Sequence, residues 1–457
     1  MVRVLSILLL CWNVTAADLY YAQSNIGSGD GSSAGNAKAI ASVNLTTQSP
    51  GDRYFQVGTV TTTVTLGSSG TPPLPITLIG LSGAKMSQPN GNLLSIAVSN
   101  IVITNMLFEN TDTGSGLTFS NAARLIDATS AINLTVANCI FQNEYVHTNP
   151  IDHNPDIANG GGIYANGLQG TNLITGCWFS NVGWCVSCLS PCDFFTTSNC
   201  YFTHFDHGVV PHATNWIVAN CTFGTTSNWD TAANSYHHDG IHFYDTGNVT
   251  KNGRIEANLF SEDWGGHMTA YIFLETAPSN VLADNNVFLV QGSTVLNNGC
   301  VVAYGASNQW VNNTFAGNGG GSCFFGGGTN ALFANNVFNS FTTFIDQQTT
   351  TTTTQFSNNI YAGQVPGGNA PWISGASSYN LFSDWTTASG EQNSISTSAA
   401  VINGAGRPLG TGAAVGAGLN FSSLFASDFD GNARPSSGVW ADGAFQTNRI
   451  RYVGAKR

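Results

Sequence analysis

The chain has 457 residues, of which 8% are charged, against roughly a quarter in an ordinary soluble domain. So small a charged fraction excludes a coiled coil or a solvated disordered chain, and thirteen basic against 25 acidic residues, a net charge of −12, argue against nucleic acid or anionic membranes as partners. Polarity comes instead from Gly, Asn, Ser and Thr, with Phe the main aromatic, a mix suited to turn-rich all-β structure.

Residues 1–17 read as an export signal: Arg3 precedes the apolar run from Val4 to Trp12, and Val14-Thr15-Ala16-Ala17 offers a small-residue cleavage site. The apolar run is too short to span a bilayer and no later one is long enough, so a secreted protein, extracellular or periplasmic and without membrane insertion, is expected. That compartment permits disulfides. Ten cysteines less Cys11 leave nine, so at least one is free or pairs with another chain.

Further along, a short unit, Asn-(Asn or Cys)-x-Phe, recurs with its aromatic at Phe141, Phe179, Phe202, Phe223, Phe260, Phe288, Phe315, Phe338 and Tyr361. The spacings are 38, 23, 21, 37, 28, 27, 23 and 23, a floor of 21 to 23 with occasional excess, as in a solenoid whose coils carry loop insertions. Asn tolerates the left-handed conformation a tight corner needs, and its amide can bond to the equivalent Asn one coil away. The aromatic after it points inward and stacks on its equivalents. One continuous core implies one domain, with an N-terminal cap and first strands over 18–60, coils over 61–385 and a C-terminal cap over 386–457.

The cysteines keep the same register. Cys139, Cys177, Cys200 and Cys221 hold the second position of the motif, where neighbouring coils about 4.8 Å apart allow either bridges or a buried thiol ladder. Cys185, Cys188 and Cys192 form a CxxCxxxC cluster, read as disulfide chemistry ahead of a zinc site.

With these motifs the chain resembles the right-handed parallel β-helix proteins of the pectin-lyase-like superfamily, over most of its length. Its opening, Leu19-Tyr-Tyr-Ala with the Gly/Ser/Asp-rich run through Gly35, looks like their first strand and cap. The ending, Asp428-Phe-Asp-Gly with Arg434-Pro and Asp442-Gly-Ala-Phe445, is similar to a segment that seals the last coil. The resemblance implies an all-β, single-stranded right-handed parallel β-helix with terminal caps. It does not imply one activity, because the fold hosts lyases, hydrolases, epimerases and adhesins. The polygalacturonase-like set of a paired Asp-Asp, a Gly-His-Gly and an Arg-Ile-Lys is absent from the candidate coils.

All nine histidines fall in the 121 residues from His147 to His267. Long insertions follow Phe141 and Phe223, about 20 and 17 residues, and emerge at the same corner three coils apart, roughly 14 Å. They would wall a groove, with Tyr145, His147, Asp152, His153 and Asp156 on one side and Trp229, Asp230, His237, His238 and Asp239 on the other. Trp184, His204, Asp206 and His207 form the floor, and Glu262, Asp263, Trp264 and His267 follow on the next coil. Aligning Asp206-His207-Gly208-Val209-Val210 with His238-Asp239-Gly240-Ile241-His242 sets His207 beside Asp239 and Asp206 beside His238, on an exposed corner.

Aromatic faces and acid–base groups together suit a sugar polymer. The expected catalytic residues are Asp206, His207, His238, Asp239, His242 and Asp263; the expected substrate-binding residues are Tyr145, Trp184, His204, Trp229, Trp264, His267 and Glu275. Between His147 and Glu275 the only other basic residues are Lys251 and Arg254, too few to neutralise a uronate for elimination. A monomeric glycoside hydrolase that requires no cofactor is therefore the leading expectation. A metal-dependent polysaccharide lyase, with calcium held by Asp152, Asp156 or Asp230, is the first alternative. His204-x-Asp206-His207 and His237-His238-x3-His242 also supply donors for a divalent ion. A non-catalytic glycan-binding or surface adhesion β-helix is the second alternative.

Overall fold

The computed structural model describes residues 16–89, 91–111, 124–144, 161–226, 238–243, 250–266, 268–275, 277–348, 353–367, 369–409 and 417–446. A typical coil contributes three short strands, while in two coils the second and third run together as Trp178–Asp193 and Tyr201–Thr214. In one typical coil the three are Leu282–Asp284, Val287–Leu289 and Val301–Tyr304, and in the next Gln309–Val311, Thr314–Ala316 and Ser322–Gly327. Each strand pairs in parallel with its equivalent one coil on. The result is the right-handed parallel β-helix expected from the sequence, and its core is the inside of the coils.

The repeat accounts for that geometry. Phe108, Phe141, Phe179, Phe202, Phe223, Phe260, Phe288, Phe315, Phe338 and Tyr361 stack in one column with centroids 4.5–5.2 Å apart. In the copies Asn285-Asn286, Asn312-Asn313, Asn335-Asn336 and Asn358-Asn359, the first Asn turns the chain at φ between 53° and 57°. The second is buried, and its amide reaches the next coil: Asn258 to Asn286, Asn286 to Asn313, Asn313 to Asn336 and Asn336 to Asn359, all at 3.0–3.1 Å.

Cys139, Cys177, Cys200 and Cys221 continue that column as buried free thiols, so the ladder alternative holds there. Within the CxxCxxxC cluster, Cys188 and Cys192 form a disulfide while Cys185 stays a buried thiol.

The ends differ from expectation. The last coil is closed by the helix Phe382–Ser389, whose buried Trp385 meets Phe356 edge-on at 5.3 Å while Phe382 lies against Tyr361 and Trp372. The stretch from Ala417 to Phe445, whose part from Asp428 was expected to seal that coil, instead runs back along the outside of the solenoid. The corner asparagines of four coils hold it: Asn358 donates to Ala417 O, Asn335 to Leu419 O and Asn312 to Ala441 O, and Asn285 accepts from Arg434 Nη2. Phe425, Trp440, Ala444 and Phe445 thereby cover Val287, Leu289, Val311 and Ala334, apolar groups on the outer face of these coils. No helix among the described residues is long and apolar enough to cross a membrane.

Candidate functional site

Four strands build the site, Trp178–Asp193, Tyr201–Thr214, His238–Phe243 and Met268–Leu274, in that spatial order. The register sets His207 beside Asp239, as the sequence alignment required, and also sets Trp184 beside His207 and Asp239 beside Ala270. Glycines decide which way these side chains point. A Cβ on Gly208 would sit 2.6 Å from the Phe223 ring, and one on Gly240 2.8 Å from Phe260, so both positions face the core. Side chains alternate along a strand, so His207 and Asp239 face away from it.

The polar groups converge. The ionised Asp206 carboxylate only accepts, so His207 Nδ1–H donates to its Oδ2 and His238 Nδ1–H to its Oδ1, both at 2.9 Å. Asp239 Oδ2 lies 3.6 Å from both His207 Nε2 and His242 Nδ1. His242 Nε2 faces Glu275 Oε2 at 3.2 Å. The rings of His207 and His242 stack at 4.8 Å, His242 stacks on Phe273 at 5.0 Å, and Trp184 tilts over His207 at 5.0 Å.

Burial shapes the electrostatics. It opposes ionisation of Asp206, yet the two imidazoles hold that carboxyl well below the usual range. It also works against protonation of His207, but the neighbouring Asp206 and Asp239 leave this imidazole raised. Asp239 has weaker compensation, and burial pushes its carboxyl up to about 7 against the pull of His207.

One expectation is corrected outright: Asp206, His207, His238, Asp239 and His242 are buried, not on an exposed corner. The open edge of the cluster is half-buried Trp184 and Glu275, whose side chain is 42% exposed. Trp264 is also corrected. It is buried in the core, edge-on to Phe205 and Tyr271, with Nε1 donating to Ser261 O, so its faces offer no sugar platform.

Asp263 bonds to other groups than the cluster: at an isolated bridge to Gln291, it accepts from Ser293 Oγ at 2.9 Å and Gly265 N at 3.0 Å. His204 is exposed at a left-handed corner, φ 52°, with Nδ1 3.0 Å from Thr203 Oγ1. Tyr145, Asp152, Asp156, Trp229, Asp230 and His267 lie outside the described residues, as do His147, His153 and His237. Phe273 was not anticipated; its signal was its register one coil after His242. Among the described residues, His207, Asp239 and His242 are the group that could hold a metal ion, with one ligand atom of each within 4.8 Å of the others.

Comparison with known proteins supports the same architecture. Residues 203–370 match a family model described as NosD, a periplasmic copper-binding protein. Among solved structures, XylC in complex with xylose is similar at 7% identity and a TM-score of 0.53, over 94% of this chain and 98% of that one. A GH136 lacto-N-biosidase from Eubacterium ramulus is similar at 12% identity and a TM-score of 0.51, over 84% of this chain and 68% of that one. No curated protein matches. The chain has the right-handed parallel β-helix fold.

Proposed function

We propose that this protein is exported, and that it binds and cleaves a polysaccharide at the Asp206 cluster, by hydrolysis rather than elimination. The observation that carries the reading is Asp206 itself. One buried carboxylate fixes two imidazoles on adjacent coils, with a second carboxyl, Asp239, and a half-buried indole, Trp184, beside them. Such a set orients groups that hold and move protons, and Trp184 gives a sugar ring a surface to stack on. Proton transfer is assigned to this set together with Glu275, the member nearest solvent.

Charge favours hydrolysis. Elimination needs a cation to neutralise a uronate, but Arg254 is tied to Glu256 at 2.7 Å and Asp284 at 3.3 Å, and the cluster itself is rich in carboxyl groups. Lacto-N-biosidase and a xylose-bound protein on the same fold make a glycan the natural ligand class to test, and the periplasmic description of the NosD model agrees with the leader-like N-terminus.

The test is a glycan panel with purified protein, read for new reducing ends and for ultraviolet-absorbing unsaturated ends. Reducing ends alone are expected. Unsaturated ends from a uronate polymer would replace hydrolysis with a polysaccharide lyase. Binding without products would make the protein a glycan-binding β-helix.

A further inference from the structure

We infer that His207, Asp239 and His242 form a binding site for one divalent transition-metal ion. The inference concerns the cluster described above but stands independently of the polysaccharide reading.

Two observations carry it. The first is convergence. His207 Nε2 and His242 Nδ1 each lie 3.6 Å from the same oxygen, Asp239 Oδ2, and the three donor atoms are mutually within 4.8 Å. With metal–ligand bonds of about 2.1 Å, donors on one ion stand roughly 3.0–3.4 Å apart, so each Asp239 contact needs a closure of a few tenths of an ångström, and the two ring nitrogens, within 4.8 Å, draw together on the same ion.

The second is the state of the other ring nitrogens. His207 Nδ1 is held by Asp206 at 2.9 Å, and His242 Nε2 by Glu275 at 3.2 Å. A carboxylate on one nitrogen fixes the neutral tautomer whose lone pair sits on the other, and here both lone pairs fall on the side of Asp239. A histidine kept only for packing needs no such orientation, and two of them arranged alike around one carboxyl point to a common occupant.

Charge agrees. Asp206 and Asp239 are both buried, and Glu275 adds a third carboxyl at the rim. A +2 ion is favoured where carboxyl groups gather in this way.

The donor set selects the ion. Two imidazole nitrogens and one carboxylate oxygen suit Zn²⁺ or Cu²⁺, whereas Ca²⁺ prefers six to eight oxygens. Three protein ligands also leave coordination positions for water or a ligand, as in a reactive centre rather than a closed structural site. With an ion bound, His207 and Asp239 serve as ligands, and proton transfer falls to His238 and Glu275.

Calorimetric titration of chelator-treated protein with ZnCl2, CuSO4 and CaCl2 tests this. Zn²⁺ and Cu²⁺ are expected to bind at one equivalent with proton release, and Ca²⁺ not to compete. The Cu²⁺ form should show nitrogen hyperfine structure in its paramagnetic resonance spectrum. Asp239→Asn and His242→Phe should each weaken binding at least 100-fold. His242→Phe keeps a ring between His207 and Phe273, so it preserves the stack even where an alanine variant unfolds. Asp206→Asn, which leaves the three ligands in place but disturbs the orientation of His207 as well as of His238, should weaken binding about 10- to 100-fold. Failure of the folded protein to bind Zn²⁺ or Cu²⁺, or unchanged affinity in folded Asp239→Asn and His242→Phe, would overturn the site. Neither result bears on the glycan panel.

Discussion

Asp206 is the residue on which the site turns, because two imidazoles depend on it at a buried position. Asp206→Ala is expected to abolish cleavage and to cost about 3–5 kcal/mol of stability, the range for removing one partner of a buried ionic set. Glycan assays and urea denaturation on the same preparation would measure both. Asp239 should behave differently. Its carboxyl is pushed up to about 7 by burial, so the fold favours its neutral form, and it accepts from Ala270 N at 3.2 Å, which an amide oxygen can also do. Asp239→Asn should therefore lose activity with little change in melting temperature, whereas His238→Ala should lower that temperature by opening a cavity beside Asp206. Equal destabilisation by both would contradict the difference in burial chemistry assigned to them.

At the level of the coil, two ladders share the work. Phe315 stacks between Phe288 and Phe338 at 4.5 and 5.1 Å, and Phe315→Ala should cost about 3–5 kcal/mol. Asn313 is buried and donates to Ala283 O and Asn336 Oδ1, while its own Oδ1 accepts from Asn286 N and Nδ2. Removing that amide leaves several buried groups unsatisfied at about 1–3 kcal/mol each, so Asn313→Ala should be at least as damaging as Phe315→Ala. Denaturant midpoints of the two variants decide this; a mild Asn313→Ala would show that the ladder only shapes the corner. Cysteine takes the same buried place in four earlier coils.

Over the whole molecule, the returning C-terminal stretch is the feature with the widest reach. Ending the chain at Leu409 would expose Val287, Leu289, Val311 and Ala334 and leave the corner asparagine amides without the tail's carbonyls. A lower melting temperature and self-association on size-exclusion chromatography are expected, while the circular-dichroism spectrum stays that of β structure. The tail also ties stability to pH. Burial raises Asp284 to about 7, against the neighbouring Arg254, and raises Asp442 to about 8, against the pull of Arg434. Folded-state values above the unfolded ones mean stabilisation that is complete below about pH 4 and lost as pH rises through 7 to 8. Melting temperature should fall between pH 5 and pH 8.5, and Asp442→Asn should flatten that slope; a rise over the same range would refute the assignment.

The NNxF repeat alone was enough to specify the coil, the aromatic column and the Asn ladder, because each coil repeats the same local rules and contacts only its neighbours. The pairing of His207 with Asp239 was legible for the same reason: in a solenoid, alignment of repeats is register, and register is contact. Sequence could not show burial at the site, since residues that stand outward on a coil are exposed or covered according to what folds over them. Nor could it tell core Trp264 from half-buried Trp184, two indoles in similar polar company whose difference is the direction of one side chain. The return of the tail lay beyond it too. Asn285 and Arg434 are 149 residues apart, and no periodicity links a corner amide to an irregular segment that meets it only after the whole solenoid has formed.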